Sequence, residues 1–195
     1  KVLEAAKAKY NFQVHYPGAG VGGPCLPINS YQLLNTARRT GVKLSIVESG
    51  RKINEIMPDH VIELTSNAFE ECKKSLENSE ILILGLSYKP NVKDIQLSPA
   101  KHIIEKFQKL GVNVHVYDPF FLSSEVFGLK VEENLENTLS KMDGAIIVTG
   151  HDDFKKIPLS SFTKMKSRIL IDCRGIIDPI SVKNEKIIFR GLGRG

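Results

Sequence analysis

The stretch "ILILGLSYKPNVKDIQLSPAKHIIEKFQKLGVNVHVYD", Ile81 to Asp118, decides the fold. It opens on a run of large apolar residues, Ile81 to Leu84, stopped by Gly85, and closes on a second run that ends at Asp118. Between them Ser98 is placed to cap a helix and Pro99 to open it. Ile103, Ile104 and Phe107 then fall on one face, and Gly111 stops the helix. A strand, a helix and a second strand in this order form a crossover between parallel strands, and runs that are apolar on both faces belong inside a parallel sheet. Three more such runs follow, in "AIIVTG" (Ala145 to Gly150), "RILIDC" (Arg168 to Cys173) and "IIF" (Ile187 to Phe189). The predicted fold class is therefore α/β, a doubly wound parallel sheet whose ligand sites lie beyond the carboxyl ends of its strands.

Upstream the pattern is helical. Asn29 or Ser30 is expected to cap a helix that runs through Arg39 and ends at Gly41. From Leu44 to Leu76 apolar residues recur every three or four positions: Ile46, Val47, Ile53, Ile56, Met57, Val61, Leu64, Ala68, Phe69, Cys72 and Leu76. Pro58 is expected to kink or restart this helix. The stripe needs a surface to lie against, and a second copy of the chain is the expected partner, giving a homodimer through the long helix. The change of pattern places a boundary near Asn78, with residues 1–77 helical and residues 78–195 forming the sheet domain.

With 195 residues, 42% of them hydrophobic and 25% charged, the chain can build a sizeable core and is not a disordered one. Its net charge of +5 suits an anionic partner, but the lysines are scattered, so a phosphate-bearing small molecule is expected and nucleic acid is not. No apolar run is long enough to span a membrane and the first residues lack a signal-peptide core, so the expected compartment is the cytoplasm, with no membrane partner. The chain opens on Lys1, already in a helical pattern, and reads as a fragment of a longer protein. Three scattered cysteines, Cys25, Cys72 and Cys173, fit neither a disulfide framework nor a zinc cluster, and reduced thiols are expected. His15, His60, His102, His115 and His151 show no metal-ligand spacing, so no metal is expected. "HDDF", His151 to Phe154, follows a strand end and reads as a polar turn in preference to a binding element.

Two nucleotide signals mislead. Gly18, Gly20 and Gly23 spell G-x-G-x-x-G, yet Pro17, Pro24 and Pro27 surround them where a strand and a helix are required, and no acidic residue follows at the right distance. Asp118 ends the second strand of the βαβ unit, where a dinucleotide domain holds ribose. The loop after Gly85, however, is too long and too poor in glycine for a pyrophosphate turn; it offers the ring of Tyr88 and the ammonium of Lys89 instead.

In "YPGAGVGGPCLPIN", Tyr16 to Asn29, glycines permit close approach and positive φ while prolines stiffen the chain, so Cys25 is held on a rigid, irregular loop. Both a nucleophilic thiol and a small packing residue fit that setting. Cys72 shares a helix face with Phe69 and Leu76, and Cys173 ends an apolar strand, so both read as packing residues.

"PGAGVGGPCLPIN", "INEIMPDHVIEL", "ILGLSYKPNVKDIQLSPA", "VHVYDP" and "LIDCRGIID" occur in the order seen in the UDP-glucose/GDP-mannose dehydrogenase family, which the chain resembles from end to end. The variant "GVGGPCLP" followed by "SYQLL" is similar to the branch that oxidises UDP-N-acetylhexosamines, UDP-N-acetylmannosamine in particular. The resemblance implies that residues 1–77 end a central helical dimerisation domain. Residues 78–195 would form a Rossmann-like UDP-binding domain, and the NAD-binding domain would lie outside this chain. It implies oxidation of a sugar C6 hydroxyl to the carboxylate by two hydride transfers to NAD, with Cys25 capturing the aldehyde as a thiohemiacetal that becomes a thioester. By the same resemblance Gly22 contacts the sugar, Lys9 and Asn11 reach the substrate of the neighbouring subunit, Tyr88 and Lys89 hold the UDP, and Gln96 and Arg174 face NAD.

Three positions depart from the family's pattern. Asn29 stands where much of the family has an acidic residue; it can orient a water for thioester hydrolysis but cannot accept its proton. Ile28 replaces a lysine of the UDP-glucose enzymes, and Gln96 replaces an arginine. The expected function is an NAD-dependent nucleotide-sugar 6-dehydrogenase, of which this chain binds UDP and is inactive alone. The rival expectation is a non-catalytic nucleotide-binding or dimerisation module with a structural Cys25.

Overall fold

The two apolar runs that bracket residues 81–118 form neighbouring strands, β1 (Glu80–Leu84) and β2 (Asn113–Tyr117), in the computed structural model, which describes residues 2–193. Before them come α1 (Val2–Ala6), α2 (Leu26–Arg39) and α3 (Ser45–Glu71), and between them α4 (Pro99–Lys109). After β2 come a short hairpin of β3 (Glu125–Val126) and β4 (Leu129–Lys130), then α5 (Leu135–Leu139), β5 (Gly144–Ile147) and a 3₁₀ turn at Phe154–Lys156. The chain ends with α6 (Leu159–Phe162), β6 (Ile169–Asp172), α7 (Pro179–Lys183) and β7 (Ile188–Gly191).

Five strands pair in the order β2-β1-β5-β6-β7, every pair parallel. The chain winds outward from β1 to β2 and then returns to the other side of β1 to lay down β5. This reversal opens a crevice beyond the carboxyl ends of β1 and β5, where doubly wound sheets bind ligands. The sheet is covered on both faces because its residues alternate. Ile81 and Ile83 join Ile103, Phe107, Val61 and Phe69 on one side, while Leu82 and Leu84 join Ala145, Ile147, Phe162 and Val182 on the other. α4 begins as its sequence requires: the Ser98 hydroxyl accepts the Ala100 N–H at 3.3 Å, and Ile103, Ile104 and Phe107 are buried.

Three expectations change. α2 begins at Leu26, with Cys25 at its N-cap, and not at Asn29 or Ser30. Pro27 has no N–H to forfeit in a first turn, and the Ser30 hydroxyl donates back to the carbonyls of Leu26 and Pro27 at 3.0 and 2.9 Å instead of capping. α3 runs unbroken for 27 residues through Pro58. Pro58 offers no N–H to the Asn54 carbonyl one turn earlier, and Gly20 passes over that carbonyl: a Cβ on Gly20 would lie 3.6 Å from it. Finally, the second half of the α3 stripe is covered by the chain itself, since Val61, Ala68 and Phe69 sit in the same core as β1. Ile46, Ile53 and Ile56, in its first half, are exposed. Among the described residues no helix is long and apolar enough to cross a membrane.

Candidate functional site

The crevice has three walls, two of them fixed by a buried carboxylate and the third by a partly exposed asparagine. The first is the turn after β1. Gly85, at φ +93°, passes so close to the end of β5 that a Cβ there would lie 2.5 Å from the Thr149 Cβ. The buried Asp118 carboxylate at the end of β2 then accepts the N–H groups of Leu86 and Ser87 at 2.7 and 3.2 Å and that of Phe120 at 2.9 Å. The far arm of the turn is tied to the loop after β5. The Asn91 N–H donates to His151 Nδ1 at 2.9 Å, His151 Nε2 lies 3.1 Å from Asp118 Oδ2, and the Asn91 side chain pairs with Asp152. Burial acts to raise the Asp118 pKa, but the hydrogen bonds from His151, Leu86 and Phe120 outweigh it and hold the carboxyl below its usual value. Tyr88 and Lys89 project from the turn so anchored. "HDDF" does turn, with Asp152 and Asp153 exposed, but its first residue is not at the surface: the His151 ring is wholly buried between Phe120 and Phe154, where two aromatic neighbours give it a seat that sequence spacing does not reveal.

Arg174 forms the second wall. Asp172, buried at the end of β6, accepts the N–H groups of Arg174 and Gly175 at 2.9 and 2.8 Å through Oδ1 and that of Ile177 at 2.9 Å through Oδ2. The turn aims the guanidinium at Gly18, where a Cβ would lie 2.2 Å from Arg174 Nη1. Burial pulls the Arg174 pKa below its ordinary value, but a guanidinium stays cationic at neutral pH.

The third wall is the glycine-rich segment itself. The Asn54 side chain on α3 accepts the Val21 N–H at 2.7 Å and donates to the Val21 carbonyl at 3.4 Å. The next two residues dock on the first wall: a Cβ on Gly22 would lie 2.3 Å from the Leu97 carbonyl oxygen, and one on Gly23, at φ +89°, would lie 2.6 Å from the Tyr88 ring. The Gly23 N–H donates to the Gln96 carbonyl at 2.8 Å. The glycines were expected to admit a ligand; Gly22 and Gly23 admit the neighbouring loop first.

These walls enclose a cleft of about 450 Å³, lined by Tyr16, Gly22, Leu26, Tyr88, Lys89 and Arg174 among others, with His15 at its edge and no carboxylate in the lining. Among the described residues, the Lys89 ammonium and the Arg174 guanidinium form neither a hydrogen bond nor an ion pair. Two cations, an aromatic ring and no counter-charge make a seat for a phosphorylated, ring-bearing ligand. Cys25 adjoins it in the chain between Gly22 and Leu26 and is exposed. Burial raises the pKa of both other thiols, Cys72 and Cys173, which leaves Cys25 as the accessible one. Asn29 follows Cys25 by one turn of α2 and is exposed as well. The structure therefore brings Gly22, Tyr88, Lys89 and Arg174 together in one cleft, with Cys25 outside its lining and next in the chain to Leu26. Lys9 and Asn11, exposed after α1, do not line this cleft, and neither does Gln96, which meets the glycine segment through its carbonyl. Asn54, Asp118 and Asp172 carry the geometry without having been singled out for it in the sequence. A terminal acidic residue on a strand is the one local signal that two of them share.

Residues 82–179 match the UDP-glucose/GDP-mannose dehydrogenase family, UDP binding domain, and residues 1–56 match the central domain of the same family. The chain is 33% identical over its whole length to the UDP-N-acetyl-D-mannosamine dehydrogenase of Pyrococcus horikoshii, covering 44% of that protein. It is 28% identical over 91% of its length to a UDP-glucose 6-dehydrogenase of Bacillus subtilis, covering 39% of that one. The chain thus spans less than half the length of these relatives. Among solved structures it superposes on the Pyrococcus horikoshii enzyme with a TM-score of 0.85 over all of this chain and 44% of that one. It superposes on an NDP-N-acetyl-D-galactosaminuronic acid dehydrogenase from Methanosarcina mazei with a TM-score of 0.86 at 26% identity, over 99% and 42% of the two chains.

Proposed function

Because the chain belongs to the UDP-glucose/GDP-mannose dehydrogenase family, we propose that it carries the nucleotide-sugar cleft and the nucleophile of an NAD-dependent UDP-sugar 6-dehydrogenase. A UDP-N-acetylmannosamine-type sugar is favoured over UDP-glucose or UDP-galactose, on the similarity to the Pyrococcus horikoshii protein and on Ile28, where UDP-glucose enzymes carry a lysine. The observation that carries the reading is the pair of unpaired cations, Lys89 and Arg174, facing one cleft with Tyr88, while the exposed Cys25 directly precedes the cleft residue Leu26 in the chain.

In this reading Tyr88 stacks on the uracil while Lys89 and Arg174 share the pyrophosphate. Arg174, expected toward NAD, is better placed for the nucleotide sugar. The sugar then extends along Gly22 toward Cys25. The sulfur adds to the aldehyde carbon at C6, forming a C–S bond while the carbonyl oxygen takes up a proton. At the later thioester stage a water oriented by Asn29 releases the carboxylate and restores the thiol.

NAD finds no complete site among the described residues. Gly18, Gly20 and Gly23 pack against Arg174, Pro99 and Tyr88 instead of ending a strand, so no hydride step is derived from this chain. Gln96 is assigned toward the cofactor, as the family resemblance implies. Residues 1–77 are assigned to the central domain and residues 78–195 to the UDP-binding domain. Lys9 and Asn11 are assigned to a neighbouring subunit's substrate, and the exposed Ile46, Ile53 and Ile56 to a homodimer contact. The enzyme is assigned to the cytoplasm, in keeping with a water-soluble nucleotide-sugar substrate. A non-catalytic module with a structural Cys25 is disfavoured by the exposure of that thiol.

Thermal unfolding of this chain with UDP and with NAD tests the cleft: UDP should raise the midpoint and NAD should not, and the reverse result would refute the assignment. In the full-length enzyme Cys25→Ser should abolish uronate formation while UDP-sugar still binds. Undiminished turnover would rule out the covalent route.

A further inference from the structure

The turn that presents Tyr88 and Lys89 is 14 residues of chain between β1 and α4, and it owes its shape to groups outside itself. Its near arm hangs on Asp118 directly, through Leu86 and Ser87. The far arm hangs on Asp118 through one intermediary, His151. Asn91, two residues past Lys89, stands at φ +60° with its N–H pointed at His151 Nδ1, 2.9 Å away. A backbone N–H can only donate, so Nδ1 must offer a lone pair. The ring proton therefore lies on Nε2 and is donated to Asp118 Oδ2 at 3.1 Å. The ring has no exposure, so water cannot stand in for either partner.

We propose that His151 is a positioning residue of the nucleotide site: as a neutral imidazole it ties Asn91 to Asp118 and so holds Tyr88 and Lys89 at the cleft, and it releases them when a second proton occupies Nδ1. The proposal rests on the reading of the cleft as the UDP-sugar site. A proton on Nδ1 sets two N–H groups head to head and costs Asn91 its only acceptor there. The charged group that faces the ring is Asp118. Of the other ionisable groups around it, Asp152 is engaged with Asn91 and Lys155, and Asp153 with Lys156. Tyr117 packs on Phe154, which packs edge-on to the imidazole. The remaining neighbour, Phe120, is uncharged.

The test is calorimetric titration of this chain with UDP-glucose, whose pyrophosphate diester does not change charge between about pH 5 and about pH 7.5. All proteins carry His15→Gln, so that the histidine at the cleft edge is silent. With His151 intact, affinity should fall by roughly tenfold or more between about pH 7.5 and about pH 5. His151→Gln, which can accept from Asn91 and donate to Asp118 without titrating, should bind at the higher pH within about threefold of the parent and keep that affinity at the lower. His151→Phe, which fills the seat without either bond, should bind weakly at both. A parent and a His151→Gln protein with the same pH profile, or a His151→Phe protein with full affinity, would overturn the proposal. No binding by the parent at the higher pH would overturn the reading of the cleft first, and the proposal with it. Should His151→Phe fail to fold, amide exchange in the parent still decides. After correction for intrinsic rates, residues 87–94 should exchange faster at the lower pH while β1 does not, and equal protection at both would refute the release.

Discussion

Replacing Gly22 by alanine tests whether the thiol segment and the nucleotide turn are packed as one body. Its added Cβ would lie 2.3 Å from the Leu97 oxygen, 2.9 Å from the Leu97 carbonyl carbon and 3.0 Å from the Tyr88 Cβ. Carbon and oxygen come to rest at about 3.3 Å, so the two segments must part by about 1 Å. No flexible side chain can give way first. Leu97 lies between Gln96, whose carbonyl holds Gly23, and Ser98, which caps α4; on the other side Asn54 holds Val21. Overpacking of this kind costs about 1–3 kcal/mol. For a chain of this size each kcal/mol lowers the midpoint by about 2–4 °C, so Gly22→Ala should unfold roughly 3–10 °C below the wild type. Because the displaced loop carries Tyr88, UDP affinity should fall as well, by about tenfold if 1.4 kcal/mol of the strain is relieved only when the ligand's seat is lost. Differential scanning calorimetry with and without UDP reads both effects. A midpoint within about 1 °C of wild type together with unchanged UDP affinity would show that the segments slide freely, and the packing argument would fail.

Gly50 supplies the contrast: it lies inside α3 with nothing within 4 Å of an added Cβ, so Gly50→Ala should stabilise the chain by about 0.5–1 kcal/mol in thermal or urea unfolding. Asn54→Ala removes both bonds to Val21, but that site is exposed and water can replace the side chain, so a loss of only about 1 kcal/mol is expected in urea unfolding. Asp118 has a folded pKa below its unfolded one, so its stabilisation is complete above the unfolded value near pH 4 and drains away as pH falls through the lowered folded value. In acid titrations of stability, Asp118→Asn should start less stable at neutral pH and lose less than the wild type below about pH 4.

The sheet was legible because its strands are buried on both faces, and a doubly buried strand leaves a local mark that no loop imitates. The α4 cap was legible for the same reason, since Ser98, Pro99 and Gly111 act within a few residues of themselves. The polar groups that shape the site act across the fold. Asn54 reaches Val21 across 33 residues, Asp118 reaches Leu86 across 32, and His151 reaches Asn91 across 60, distances over which spacing in the chain carries no information. Pro58, expected to kink or restart the helix, does not restart it, for a related reason. In isolation it predicts a break, whereas here the helix continues beneath a glycine segment that passes over the carbonyl the proline leaves unpaired.

The same distinction explains why G-x-G-x-x-G appears where no dinucleotide fingerprint exists. Each glycine faces a different neighbour: Gly18 the guanidinium of Arg174, Gly20, at φ +138°, Pro99 and the freed carbonyl of Asn54, and Gly23, at φ +89°, the ring of Tyr88. Three separate steric requirements, from the loop after β6, from the α3 and α4 helices, and from the turn after β1, happen to fall at the spacing that one pyrophosphate imposes elsewhere. What they share is that the thiol segment is threaded through the place where those elements converge, at the carboxyl ends of β1, β5 and β6. A segment so confined ties the chain before Cys25 to Tyr88 and Arg174, so under the proposed function the groups that would grip the nucleotide also restrain the segment that carries the thiol.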